Sequence, residues 1–185
     1  CHLAHGSSQA SLLAAPAGDL CLSCHLKVKL LAAAPHTHDV VSSGDCLACH
    51  ESHKSTRRDL LNAPATELCM DCHDDLVEAG SRASVHDPAA EGACLDCHLP
   101  HGGERPGMLR ADPAETCLGC HDEFEAGSGL ALPHAPVAEG RCAECHDAHR
   151  SDLPSLLAAP DPLLCTGCHQ ELIETAAAVS IHPPS

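Results

Sequence analysis

His86-Asp87-Pro88-Ala89-Ala90-Glu91-Gly92-Ala93-Cys94-Leu95-Asp96-Cys97-His98-Leu99-Pro100-His101 holds a Cys-x-x-Cys-His segment between two further histidines, and its pattern recurs along the chain on one fixed step. Seven complete segments occur: Cys21, Cys24 and His25; Cys46, Cys49 and His50; Cys69, Cys72 and His73; Cys94, Cys97 and His98; Cys117, Cys120 and His121; Cys142, Cys145 and His146; Cys165, Cys168 and His169. The chain opens on Cys1-His2, which has the form of the end of an eighth. The closing histidines fall into two series that share the step from His50 to His98: His2, His50, His98 and His146 (first motifs), and His25, His73, His121 and His169 (second motifs). Two more series keep that step outside any such segment. They are His5, His53, His101 and His149, and His38, His86, His134 and His182; of the 17 histidines only His36 stands off the ladder.

Cys-x-x-Cys-His is the attachment motif of c-type haem, in which two thiols add to the porphyrin vinyl groups and the adjacent histidine becomes the proximal iron ligand. A disulfide framework gives no reason for a histidine after every second cysteine. Zinc would use the thiols but leaves the extra, period-locked histidines unexplained. Eight proximal histidines and eight ladder histidines outside the motifs supply one further imidazole per iron, which predicts bis-histidine ligation of eight haems c, seven of them in complete motifs. Cys1 offers a single thioether to the first.

The 185 residues include one phenylalanine, Phe124, and no tryptophan or tyrosine. Large apolar side chains are too few for an ordinary core, so porphyrin faces must fill the interior. The expected fold is an elongated, haem-cored array over residues 1–185, mostly coil with short α-helices and negligible β structure, built from four tandem dihaem repeats. Those repeats by ladder phase are 1–37 (truncated), 38–85, 86–133 and 134–181, with 182–185 opening another. Single helical turns are expected at each motif, and short helices over residues 74–84 and 170–179. Gly44, Gly92 and Gly140 each stand two residues before a first-motif cysteine, either as ordinary loop glycines or as positions that let the backbone pass close to a haem edge or adopt positive φ. The pairs Leu12-Leu13, Leu60-Leu61, Met108-Leu109 and Leu156-Leu157 precede proline turns at Pro16, Pro64, Pro113 and Pro160.

A formal net charge of −16 argues against nucleic acid as a partner. No stretch approaches the roughly 20 apolar residues of a transmembrane helix. Because c-type haem is attached outside the cytoplasm, the chain is expected to be exported, to the periplasm or the cell exterior.

Chain reach limits which imidazole can serve which iron. His53 follows His50 by three residues, at most about 10 Å, too short to pass round a porphyrin to its far face. It must serve a different haem, and the expected target is the second motif of the same repeat: His53 with His73, His101 with His121, His149 with His169, His5 with His25. From His38 to His50, from His86 to His98 and from His134 to His146 the loop is long enough to reach the opposite face, so these histidines are assigned to His50, His98 and His146. His182 is left to a neighbouring chain's first haem or to a fold-back onto its own. His36 is read as exposed or bonded to a propionate.

The stretch from His86 to His101, followed by Leu109 and Cys117 to His121, resembles the doubled-CxxCH multihaem cytochromes c in four copies over essentially the whole chain. That resemblance implies covalent haem c, bis-histidine iron, closely packed haem pairs and electron transfer. The open-ended repeat phase is also similar to polymeric cytochrome filaments, in which one subunit can donate an axial histidine to the next. Two function classes follow. The first is an electron conduit with no catalytic residue, partnered by head-to-tail copies of itself or by redox proteins. The second is a multihaem oxidoreductase acting on a small nitrogen or sulfur compound at one open haem.

Overall fold

The computed structural model describes residues 1–76, 83–125 and 133–171. They are mostly coil punctuated by short helices, with four two-residue strands, as the composition leads one to expect. Each second motif closes a helix: Ala17–Cys24, Ala65–His73, Pro113–Leu118 and Leu163–Thr166 end in or run into it. Proline starts all four of these helices, as N-cap at Pro16, Pro64 and Pro162 and as first residue at Pro113, where its fixed φ and missing N–H cost nothing. The first motifs occupy single turns, Cys46–Ala48, Cys94–Cys97 and Cys142–Glu144. Three residues apart on a helical turn, the two thiols of a motif share one face.

A further single turn follows each of His38, His86 and His134: Asp39–Ser42, Asp87–Ala90 and Ala135–Ala138. These turns end in one way. Gly44, Gly92 and Gly140 adopt φ of 76°, 72° and 68°, and the next N–H reaches back to a carbonyl five residues earlier: Asp45 to Val40, Ala93 to Pro88, Arg141 to Pro136. A glycine in the left-handed region with that bond is a Schellman stop. The same glycines meet the start of the preceding second-motif helix. A Cβ on Gly92 would stand 2.3 Å from the Thr66 methyl, and one on Gly140 2.3 Å from the Ala114 methyl, while Gly44 faces Gly18. Thr66 Oγ1 donates to the Gly92 carbonyl at 3.1 Å. The positive φ weighed for these glycines therefore holds, and their close approach is to the preceding helix.

Strand pairing is antiparallel and links each repeat to the next but one: His36–Thr37 pairs with Gly102–Gly103, and Ser84–Val85 with Arg150–Ser151. His36 thus serves a backbone ladder. Within each repeat a bridge ties the first-motif histidine to the second leucine of the leucine pair: His2 to Leu13, His50 to Leu61, His98 to Leu109, His146 to Leu157. The expected helix over 74–84 appears as one turn, Asp74–Leu76, with 77–82 outside the described residues; of 170–179 only Gln170 and Glu171 lie within them. No apolar side chain among the described residues is buried, and the buried positions are Gly102, Gly103 and Ser151. The polypeptide assembles no core of its own there.

If the junction at Gly140 holds successive repeats together, Gly140→Ala should destabilise the haem-loaded protein by about 2 kcal/mol through left-handed strain and the clash with Ala114. Adding Ala114→Gly, which places at 114 the glycine found at the equivalent Gly18 and removes the clashing methyl, should recover part of that loss in thermal unfolding.

Candidate haem sites

The first-motif imidazoles are held by a strained loop. Nδ1 of His2, His50, His98 and His146 lies 2.8, 2.7, 2.6 and 2.9 Å from the carbonyls of Ser11, Asp59, Gly107 and Ser155. A carbonyl only accepts, so Nδ1 carries the proton and Nε2 keeps its lone pair for a metal. The carbonyl is aimed by two consecutive left-handed residues, Ser11-Leu12, Asp59-Leu60, Gly107-Met108 and Ser155-Leu156, with φ between 54° and 64°. Each non-glycine residue held there costs about 1–2 kcal/mol. Four repetitions of that strain at one ring nitrogen mark a functional constraint. It also gives the leucine pair a role: its first residue completes the left-handed turn and its second bridges to the histidine.

Six pairs of near-parallel imidazoles face one another. His2 faces His53 at 5.8 Å between ring centroids, His50 faces His101 at 6.0 Å, and His98 faces His149 at 5.8 Å. His38 faces His73 at 6.1 Å, His86 faces His121 at 6.2 Å, and His134 faces His169 at 5.9 Å. Interplanar angles run from 17° to 29°. A ring nitrogen bonds a transition metal at about 2.0–2.1 Å, so two imidazoles on opposite faces of one iron stand about 6 Å apart between centroids. Every pair joins a motif histidine to a ladder histidine outside the motifs.

The partners are the reverse of those expected from chain reach. His2, His50 and His98 each meet a ladder histidine of the following repeat, and His73, His121 and His169 each meet the one that opens their own repeat. His53 therefore stands with His2 rather than His73, and His38 with His73 rather than His50. The reason lies in the segment between His38 and His50. It is taken up by the turn Asp39–Ser42, the Gly44 stop and the turn Cys46–Ala48, leaving no extended loop to round a porphyrin. The strand pairs act on the other side. His38 directly follows His36–Thr37 and His101 directly precedes Gly102–Gly103, so the antiparallel ladder brings these two histidines side by side. One ladder step later the His86 N–H donates to the His149 carbonyl at 2.9 Å, and His86 Nδ1 donates to the Ala148 carbonyl at 3.0 Å. His5, His25 and His146 have no facing imidazole among the described residues, and His182 lies outside them.

Burial first, and then the nearby imidazoles of His50, His38 and His25, hold the His101 pKa below its ordinary value. Burial followed by His98 does the same for His149. Both rings are thereby neutral at pH 7 and offer lone pairs. Asp147 fixes the turn before His149: partial burial alone would raise its carboxyl, but the N–H groups of His149 and Arg150, at 2.9 and 3.2 Å, outweigh that and lower it.

The thiols lie in rows. Cys46 sits against Cys21, Cys69 against Cys94 and Cys117 against Cys142, while Cys49 neighbours Cys72 and Cys97 neighbours Cys120. Burial, then the adjoining thiol, pushes Cys69 up to about 11, so before haem attachment it is a neutral thiol at physiological pH. None of the 15 cysteines forms a disulfide. Among the described residues no three His, Cys, Asp or Glu side chains converge as a bare metal ion would need, which leaves zinc without a ligand set. Thiol pairs on one face of a turn, an imidazole with Nε2 free, a second imidazole 6.0 Å away at His50 and His101, and no buried apolar side chain together fit haem c.

Such residues define a multihaem c-type cytochrome. The doubled CXXCH motif family matches residues 1–30, 38–78, 86–126 and 134–174, most of the chain, and the chain belongs to that family. No curated protein matches it. No helix of the described residues is long and apolar enough to cross a membrane.

The pairing makes a residue-specific prediction. In the haem-loaded protein His53→Ala should convert one haem to a high-spin, carbon monoxide-binding form, and that haem should be the one attached beside His2. Peptide mapping after covalent trapping at the open iron reads this directly, and a label beside His73 would contradict the geometry.

Proposed function

We propose that the chain transfers electrons along a series of bis-histidine haems c, eight in all, with an imidazole from a motif and an imidazole from the ladder on each iron. The observation that carries this reading is the set of six facing imidazole pairs. Two protein ligands per iron leave no position for a substrate, which favours transfer over catalysis. Haem supplies the one-electron chemistry. The protein fixes the spacing, sets the tautomer through the carbonyls of Ser11, Asp59, Gly107 and Ser155, and excludes exogenous ligands by occupying both faces. The motif thiols serve as thioether donors. The repeats act as units at 38–85, 86–133 and 134–181, with 1–37 the corresponding part of a further one. Because haem c is attached outside the cytoplasm, the chain works in the periplasm or on the cell exterior.

The same pairing rule supports head-to-tail continuation. His146 would take a ladder histidine of the following repeat, which corresponds to His5 of a following four-repeat unit. His182 would serve the second-motif histidine of the repeat it opens, which corresponds to His25 of that unit. A following unit, whether a second copy or further repeats, completes both sites at once, by exchange of one imidazole in each direction. Equivalent contacts of this kind build open fibres unless the rotation closes a ring.

Titration with carbon monoxide alongside negative-stain imaging tests both parts. Assembled material should be uniformly low-spin and unreactive, and residues 1–185 separated from any following unit should expose open haems at His25 and His146. Carbon monoxide binding to one stoichiometric haem in assembled material would instead indicate a catalytic centre. Discrete compact particles at every concentration would contradict head-to-tail assembly.

A further inference from the structure

On the reading that the chain carries electrons, the described sites are not equivalent stations on a single file. His50 and His53 are three residues apart, yet His50 belongs to the pair with His101 and His53 to the pair with His2. One turn of backbone therefore joins two successive first-motif sites directly. The same turn at His98 and His101 joins the next two. At most about 10 Å of backbone separates the two histidines in each case, so successive first-motif sites are joined through one short turn of chain.

Second-motif sites relate to this row differently. Cys69, beside His73, lies against Cys94 and close to Cys49, which belong to two successive first-motif sites. Cys117 likewise lies against Cys142 and close to Cys97. Backbone contacts repeat the pattern: Thr66 bonds Gly92 ahead of it, and the Asn62 N–H bonds the Cys49 carbonyl behind it. One repeat further on, a Cβ on Gly140 would touch Ala114, and the Arg110 N–H bonds the Cys97 carbonyl. Each second-motif site thus adjoins two first-motif sites that one turn of chain already joins. The thiols acting on Cys69 and Cys117 all come from first motifs.

We propose that the first-motif sites form a continuous spine through the H-x-x-H turns, and that each second-motif site is a bridging side station, able to take up and return an electron without being an obligatory step. One electron passes from a reduced site to an oxidised one at each step, and no bond or proton changes place. The carbonyl tether on Nδ1 occurs at the spine histidines His2, His50, His98 and His146, which fixes the orientation of the imidazoles that meet face to face. A redox partner could then reach a side station without interrupting the spine.

The test traps one station at a time in the full haem-loaded chain. Replacing a distal imidazole by a thioether raises that haem's potential while keeping it in place, so it holds its electron. His38→Met traps the side station at His73, and His101→Met traps the spine site at His50. Redox spectra confirm the shift in each, and current through single assemblies between electrodes is then compared with wild type. The proposal expects wild-type current in His38→Met and loss of most current in His101→Met. Equal losses, or a greater loss in His38→Met, would overturn it. Deleting attachment by Cys69→Ala with Cys72→Ala, against Cys94→Ala with Cys97→Ala, repeats the comparison if a thioether ligand fails to bind. Absence of current in the wild-type protein would count against the electron-transfer reading itself and is distinguishable from either result.

Discussion

Two facing imidazoles, His50 and His101 at 6.0 Å or His38 and His73 at 6.1 Å, contributed by chain segments far apart in sequence, are the contact on which the rest of this molecule depends. The polypeptide offers little else. Among the described residues no apolar side chain is buried, strands are two residues long, and the longest helix, Ala65–His73, has nine residues. Isolated helices of that length are marginal in water. Cohesion must therefore come from whatever sits between the facing imidazoles, and a haem held there would be a cross-link as well as a redox centre. Metal-dependent folding of small domains works on the same principle.

The first-motif pairings also change what a repeat is. His2, His50 and His98 each face an imidazole that lies one ladder step further along the chain, so no single ladder step closes such a pair by itself. Stability should then be strongly coupled between neighbours, more than in solenoids whose units merely stack. The local devices all serve this overlap. Schellman glycines bring the turn after His38, His86 or His134 against the previous helix, antiparallel strand pairs set two ladder histidines side by side, and left-handed loops lock the proximal tautomer.

Much of the site chemistry was legible in the residues alone. Cys-x-x-Cys-His declares its own chemistry, and the fixed step of the extra histidines singles out the imidazoles that the structure sets opposite the motif histidines in six pairs. Gly92 and Gly140 could be read as special because their position recurs, although their contacts with Thr66 and Ala114 could not. The direction of pairing was not legible. Reach is an inequality: it excluded His53 from the iron of His50, but it could not say that the turn Asp39–Ser42 and the Gly44 stop would keep His38 from that iron as well. The strand pair that decides the matter links His36–Thr37 to Gly102–Gly103, and two glycines carry no strand propensity. The left-handed Ser155-Leu156 turn was equally silent, because neither residue favours that region; only the glycine at 107 in the equivalent position hints at it.

The central claim is that the imidazoles interleave between repeats. A density map of the haem-loaded protein, resolved well enough to read both axial ligands of each iron, tests it most directly. The account predicts His50 and His101 on one iron, His2 and His53 on another, and His38 and His73 on a third. An iron held by His50 and His38, or by His73 and His53, would contradict it.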